Sequence, residues 1–250
     1  MRLSQQFIRE IVLRRDEIAS FDAYPFSLPV VRDMRRLALH PAVTFFVGEN
    51  GSGKSTLLEA IAVAAGFNAE GGSKNFNFTT RASHSPLCER LRLVRGVKRP
   101  TDGYFLRAES FFNVATEIEK LDSIVCQDPL IGDAYGARPL HEQSHGESFF
   151  SLMTQRFHGN GLYILDEPEA ALSPMRQMAF LTLVHDLVRA KSQFIVATHS
   201  PIIMAYPESR IYACCEKGLR RTRYTDTEHY RVTRDFLMRY PKMMEILMAP

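Results

Sequence analysis

A glycine-rich loop between a strand-like and a helix-like segment constrains this chain more than any other feature. The loop spans 48–55 and reads GENGSGKS; the apolar run AVTFFV precedes it and TLLEAIAVAAG follows it. Glycine adopts backbone conformations that other residues disfavour, so successive N–H groups can point inward at one anion. The order of strand, glycine loop and helix therefore predicts a phosphate-binding loop that opens a helix in an α/β fold.

The side chains of this loop predict a Mg²⁺-bound nucleotide as the ligand. Lys54 would reach the β- and γ-phosphates, and the hydroxyl of Ser55 would ligate Mg²⁺. The residues predicted to contact the nucleotide are Gly48, Glu49, Asn50, Gly51, Ser52, Gly53, Lys54, Ser55 and Thr56.

A second apolar segment, GLYILDE, ends in two adjacent carboxylates. Asp166 is positioned to hold Mg²⁺ directly or through water, and so joins Ser55 as a predicted metal ligand. Glu167 can accept a proton from an attacking water, which is the role of a general base. A protein that only binds nucleotide does not need this pair, so the sequence favours hydrolysis.

A histidine follows the next strand-like segment, SQFIVATHS. His199 lies 33 residues after Asp166, about the length of one strand–helix–strand unit. Neighbouring parallel strands end at the same edge of a sheet, where ligands bind. We therefore expect His199 beside the γ-phosphate, as a second catalytic residue.

Alternating strand-like and helix-like segments predict a mostly parallel sheet with helices on both faces. Helices are expected over 54–67, 110–122, 148–157 and 173–190, and from about residue 228. The segments RLRLVRG and YFLRAE flank a turn-like stretch, which favours an antiparallel hairpin between them. One or two further strands are expected near RIYACCE and LRRTRYT.

The phosphate loop, ILDEPEAALSP and THSP, in this order, resemble the ATP-binding cassette (ABC) ATPase family. The resemblance implies ATP as the nucleotide and a signature motif, often LSGGQ, about twenty residues before the Asp166 strand end. The stretch QSHGE at 143–147 occupies that place, and Ser144 and Gly146 match the motif. In the family the signature caps the ATP of a second subunit, which implies an ATP-dependent homodimer. An ordinary helix N-cap at Ser144 is the alternative.

Two weaker matches follow from the same resemblance. Glu109 stands where the family usually has a glutamine near the metal, so it is either a third metal ligand or a helix-start acid. The family often stacks an aromatic residue on adenine about 25 residues before the phosphate loop. Tyr24 fits that distance, although Phe21, Tyr24 and Phe26 could equally belong to the core.

The resemblance covers nearly the whole chain and implies one domain over 1–250, with a short helical and signature subdomain at about 110–158. The interval between Ser55 and Ser144 lacks a sustained heptad, and no D-x-D pair follows Pro201. The chain is therefore most similar to small stand-alone heads related to RecF/SMC-like and OLD-type ATPases.

The expected function is ATP hydrolysis coupled to dimer closure. The alternatives are the ATP-binding subunit of a membrane transporter and an ATP-controlled nucleic-acid clamp.

Composition sets broad limits on partners and location. The net charge of +3 is too small to indicate a polyanion partner by itself. No apolar run approaches the roughly 20 residues that span a bilayer, so we expect a cytoplasmic protein without a membrane span. Two basic clusters are either solvated faces or contacts for nucleic-acid phosphates. They consist of Arg90, Arg92, Arg95, Lys98 and Arg99, and of Arg220, Arg221 and Arg223.

Overall fold

The structure is a computed structural model that describes residues 6–73, 85–107 and 145–249. Within these residues we number the strands and helices in chain order. The strands are β1 (Ile8–Leu13), β2 (Arg36–Ala38), β3 (Val43–Val47), β4 (Gly72–Ser73), β5 (Leu91–Arg95), β6 (Asp102–Arg107), β7 (Gly161–Asp166), β8 (Gln193–Ala197), β9 (Ser209–Cys215) and β10 (Gly218–Thr222). The helices are α1 (Pro29–Arg32), α2 (Lys54–Ala65), α3 (His145–Arg156), α4 (Pro174–Arg189) and α5 (Glu228–Leu247).

The larger sheet has seven strands among the described residues, in the order β10-β9-β3-β8-β7-β6-β4. The five strands from β9 to β6 run parallel, and β10 and β4 pair antiparallel at the two edges. Strands β3, β7 and β8 are buried at every position, as expected for parallel strands covered on both faces. The prediction of a mostly parallel sheet flanked by helices is confirmed.

Side-chain alternation along the central strands divides the core into two layers. Phe45 of β3 packs with Phe180 of α4 and Phe157, which follows α3. The next residue, Phe46, points to the opposite face and packs with Leu57 and Ile61 of α2. A period of two along each strand therefore places helices on both sides of the sheet.

A smaller antiparallel sheet, in the order β2-β1-β5, covers the face that carries α2. Gln193, at the start of β8, connects the two sheets through its side-chain amide. Its Oε1 accepts hydrogen bonds from the N–H groups of Phe7 and Ile8, each at 3.0 Å. Its Nε2 donates to the carbonyls of Ile8 at 2.8 Å and His40 at 2.9 Å.

The antiparallel hairpin predicted for the fold is present, but in a different place. Strands β9 and β10 form it, in the region where the sequence predicts one or two strands. The pairing of RLRLVRG with YFLRAE is wrong, because β5 pairs with β1 and β6 lies between β7 and β4. Strand β6 is buried along its centre, which suits the interior of a parallel sheet, whereas β5 exposes Arg92 beside buried Leu91.

The helices begin and end close to their predicted positions. Helix α2 ends at Gly66, whose φ of 97° suits a left-handed C-terminal cap. Helix α4 has Pro174 in its first turn, and Ser173 accepts a hydrogen bond from the Arg176 N–H as the N-cap. The helix predicted over 110–122 lies outside the described residues. Among the described helices, none combines the length and apolarity needed to cross a bilayer.

Candidate nucleotide site

Two glycines allow the 48–55 loop to pass close to its neighbours. Gly48 has a φ of 153°, and a Cβ there would lie 2.4 Å from the carbonyl oxygen of Cys214 on β9. Gly53 has a φ of 90°, and a Cβ there would lie 2.8 Å from a methyl group of Val30. A larger residue at either position would have to displace backbone or core atoms, so the loop conformation depends on glycine.

The ammonium group of Lys54 lies inside this loop. The residue is only 3% exposed, and Nζ donates hydrogen bonds of 2.8 Å to the carbonyls of Gly48 and Glu49. Burial lowers the pKa of Lys54, while Cys214 and the carboxylates of Glu167 and Asp166 act in the opposite direction. The loop therefore places a desolvated positive charge where its backbone N–H groups can also bind an anion.

The predicted metal ligands approach each other from the start of α2 and the end of β7. The Ser55 hydroxyl donates to Oδ1 of Asp166 at 3.2 Å. Hydroxyl and carboxylate oxygens are ligands that suit Mg²⁺. In addition, Ser52 Oγ in the loop is buried without a hydrogen-bond partner among the described residues. These oxygen ligands and this unpaired hydroxyl fit a magnesium-bound phosphate group.

Glu167 adopts an uncommon backbone conformation at the end of β7. Its φ is 52°, in the left-handed region that costs a non-glycine residue about 1–3 kcal/mol. The Glu167 N–H donates to the carbonyl of Ala197 at 3.0 Å, which holds this turn against the end of β8. The side chain is 38% exposed, so its carboxylate can reach solvent.

His199 lies opposite this carboxylate, two residues after β8. Its Nε2 is 3.3 Å from Oε1 of Glu167, a close approach that falls short of hydrogen-bond geometry. Its backbone N–H donates to Oε1 of Glu169, and its Nδ1 lies 3.1 Å from Nε2 of His229. Burial, followed by the nearby charge of Lys54, lowers the pKa of His199 and favours the neutral imidazole.

The sequence-predicted residues thus fall into three groups. The residues of the 48–56 segment, with Asp166, Glu167 and His199, meet at one edge of the central sheet. Gly146 lies in the first turn of α3, whereas Ser144 and Glu109 lie outside the described residues.

The aromatic candidates for adenine stacking form the third group. Tyr24 is exposed beside α2, with its hydroxyl 3.2 Å from that of Thr56. Phe21 and Phe26 pack partly against the core.

Sequence reasoning missed Glu169 and His229. Glu169 lies three residues after Asp166 in the same motif, and that spacing is a signal that could have identified it. Burial raises the pKa of Glu169, and the His199 N–H that it accepts acts in the opposite direction. His229 has no motif around it, and its place in the site depends on how α5 begins.

Two protein families match successive parts of the chain. Residues 14–114 match the family described as "AAA domain". Residues 108–205 match the family described as "AAA domain, putative AbiEii toxin, Type IV TA system". Together the two matches span residues 14–205, and both families are described as AAA domains. These matches include both the phosphate loop and the Asp166–His199 region, and they support the family resemblance found in the sequence.

The fold is similar to that of a solved ABC transporter structure. A solved structure described as "An inward-facing conformation of a putative metal-chelate type ABC transporter" matches with a TM-score of 0.50 and 16% identity, covering 91% of this chain and 88% of the other. Two plant proteins are similar in sequence. ABC transporter G family member STR2 of Medicago truncatula is 27% identical over 191 residues, or 70% of this chain. ABC transporter G family member 22 of Arabidopsis thaliana is 25% identical over 177 residues, or 64% of it.

The present chain spans only 26% and 23% of the lengths of these two plant proteins. The similarity therefore concerns only one part of each relative. It does not show that this chain has the activity of either whole protein.

Proposed function

We propose that this P-loop domain binds ATP and Mg²⁺ at the edge formed by β3, β7 and β8, and hydrolyses the ATP. The observation that carries the proposal is the convergence of three sequence-distant groups at that edge. Lys54 follows β3, the Asp166–Glu167 pair ends β7, and His199 follows β8, with Ser55 and Asp166 3.2 Å apart. A cation and two metal-binding oxygens suit a magnesium-bound phosphate, and a nearby carboxylate can act as base toward an attacking water.

Binding is assigned to the loop and to the two oxygen ligands. Lys54 and the loop N–H groups hold the phosphate oxygens, and the Ser55 hydroxyl and Asp166 hold Mg²⁺. When bound, Mg²⁺ neutralises charge on the phosphates. This assignment is supported by the two 2.8 Å hydrogen bonds of Lys54 to loop carbonyls, which hold Nζ inside the loop.

Proton transfer is assigned to Glu167. Its carboxylate is partly exposed, so a water molecule can approach it, and its backbone is held by the hydrogen bond to Ala197. Glu167 accepts the proton of that water as it attacks the terminal phosphate. His199, 3.3 Å away, is positioned to donate a hydrogen bond from Nε2 to a phosphate oxygen or to Glu167.

The substitution Glu167→Gln tests this assignment. It preserves the shape of the side chain but removes the proton acceptor, so ATP affinity should stay within about twofold while turnover falls at least about 100-fold. ATP binding and phosphate release are measured on the same protein. Glu208→Gln, at an exposed position just before β9 and at the end of the sheet opposite the phosphate loop, is the matched control and should leave both values unchanged. Turnover of Glu167→Gln within a factor of two of the unaltered protein would remove Glu167 from this role.

We further propose that two copies close around two ATP molecules, with Ser144 and Gly146 of each copy capping the nucleotide of the other. The support is the family resemblance, together with the position of Gly146 in the first turn of α3, where a helix N-terminus attracts anions. ATP that binds the dimer better than the monomer must favour dimerisation by linkage.

Light scattering on Glu167→Gln tests this pairing, because slow hydrolysis preserves the ATP-bound state. ATP should double the mass of Glu167→Gln, and adding Ser144→Arg should keep the protein monomeric while it still binds ATP through Lys54. Equal masses of the two proteins with ATP would contradict capping by Ser144 and leave it as an N-cap.

The similarity to ABC transporter proteins favours one second candidate, an ATPase subunit that docks on a membrane partner. Co-purification of the tagged chain with an integral membrane protein would support that candidate.

The nucleic-acid clamp has less structural support, since two of the basic residues make contacts within the chain. Arg90 pairs with Glu17 at 3.3 Å, and Arg95 donates to the carbonyl of Ala64 at 3.4 Å. An excess of nucleic-acid absorbance in the purified protein would favour the clamp.

A further inference from the structure

Helix α5 places a second histidine in direct contact with His199. His229 is in the first turn of this helix, and its Nε2 lies 3.1 Å from Nδ1 of His199. The two rings meet edge to face, with centroids 5.2 Å apart and planes inclined by 63°. This contact joins the end of β8 to a helix that lies 30 residues farther along the chain.

Two anchors fix the position of His229. The buried Thr227 caps α5: its Oγ1 accepts a hydrogen bond from the Tyr230 N–H and donates one of 2.7 Å to the Tyr224 carbonyl. The Tyr224 hydroxyl in turn donates to the carbonyl of Pro201 at 3.0 Å. Pro201 is two residues after His199, so the start of α5 is tied to the segment that carries His199. The histidine contact is therefore part of a connected local structure.

The position of one proton in this pair decides what His199 can do. A neutral imidazole carries one N–H, so the hydrogen bond between the rings makes one ring the donor and the other the acceptor. If His199 donated from Nδ1, its Nε2 would present a lone pair 3.3 Å from the Glu167 carboxylate, an unfavourable arrangement. If His229 donates instead, His199 keeps its proton on Nε2, facing Glu167 and the phosphate loop.

Both rings are expected to be neutral at pH 7. Burial lowers the pKa of His199 and of His229, and the charge of Lys54 lowers both further. Among the described residues, no group of three or more His, Cys, Asp or Glu side chains has a metal-binding arrangement. The histidine pair is therefore best explained as a hydrogen bond between two neutral rings.

We propose that His229 is a positioning residue that donates its Nε2–H to Nδ1 of His199 and holds the His199 ring with its own proton on Nε2. Resting on the proposed function, this inference assigns His199 as a donor to the terminal phosphate or to Glu167. It also assigns the first turn of α5 a role in hydrolysis, because His229 in that turn positions His199. Partners that orient metal-bound histidines contribute about 10- to 100-fold to activity, and we expect an effect of similar order here.

The first test observes the proton directly and requires no ATP hydrolysis. The two ¹⁵N chemical shifts of a histidine ring distinguish its two neutral tautomers, and loss of a signal in His199→Gln identifies the resonances of His199. We expect protonated Nε2 and unprotonated Nδ1 on His199 in the nucleotide-free protein. A His199 proton on Nδ1 would overturn the proposal, whether or not the protein hydrolyses ATP.

The second test compares two replacements of similar size. His229→Gln keeps an N–H donor near the Nε2 position, whereas His229→Leu fills the space without a donor. We expect kcat to fall about tenfold in His229→Leu with KM within twofold, and to stay within about threefold of the unaltered protein in His229→Gln. His185→Leu is the control, since it removes a histidine of α4 that contacts Tyr206, away from the site.

The outcomes of these two tests separate this inference from the proposed function. Equal losses in the Gln and Leu variants, or no loss in Leu, would contradict a role for the His229 proton. Absence of ATP hydrolysis in the unaltered protein would instead contradict the proposed function, and the tautomer of His199 would still decide the inference. If His229→Leu fails to fold, the tautomer measurement remains decisive.

Discussion

The edge of the central sheet and the C-terminal helix supply neighbouring parts of the same site, but different interactions hold these two regions in place. Strands β3, β7 and β8 are buried at every residue, and the site side chains lie at or shortly after their C-terminal ends. Helix α5 buries none of its own residues against the described part of the chain. Contacts at Thr227 and Tyr224 hold its first turn, and so His229, against the rest of the chain. Core packing thus positions Lys54, Asp166 and His199, whereas a few polar contacts position His229.

This difference predicts where the stability of the molecule resides. Substitutions in the interior of the sheets should be costly, because each removes contacts or leaves polar groups without partners. Substitutions along the outer face of α5 should have little effect on folding, because that face has no partner among the described residues. Two variants test the contrast, one from each region.

The largest effect on stability is expected for Gln193→Leu. Gln193 is 1% exposed, and its amide binds four backbone groups that connect the two sheets. Leucine fills a similar volume but leaves those groups unpaired, so the free energy of unfolding should fall by at least about 3 kcal/mol. Chemical denaturation measures it. Gln155→Leu, at an exposed position of α3, is the control, and a loss of less than 1 kcal/mol in Gln193→Leu would contradict the connecting role.

The part of the site at the C-terminal ends of the parallel strands could be predicted from the sequence, because each functional residue there comes after an apolar run. Lys54, Asp166 and His199 could be placed together from the rule that parallel strands end at one edge. The same local information could not identify the partner of β5, since an alternating pattern fits any sheet with one buried face. It therefore led to the wrong pairing with β6.

Gln193 and His229 could not be predicted, for a physical reason common to both. Each acts through contacts between groups far apart in the chain: Gln193 binds Ile8, 185 residues away, and His229 binds His199, 30 residues away. Neither residue type nor spacing indicates such a partner. The site could thus be predicted where it depends on strand order, and not where it depends on how a loop or helix returns to the sheet.

The smallest effect is expected on the outer face of α5. Leu237 and Met238 are 66% and 77% exposed, so replacing both with alanine removes little buried area. The free energy of unfolding of the double variant should stay within about 0.5 kcal/mol of the unaltered protein. Denaturation of dilute protein without nucleotide measures this. A loss above 1.5 kcal/mol would show that α5 packs against a part of the chain outside the described residues, or against a second copy.

The affinity of Lys54→Ala for ATP tests the central claim, that the sheet edge binds the phosphates of ATP. Lys54 is the buried cation inside the loop, and a hydrogen bond to a charged group typically contributes about 1.5–3 kcal/mol. Titration calorimetry with Mg²⁺ and ATP should therefore show affinity reduced about 10- to 100-fold in Lys54→Ala. Lys217→Ala, in the exposed β9–β10 turn, should bind as the unaltered protein does. Undiminished ATP affinity in a folded Lys54→Ala protein would contradict the account.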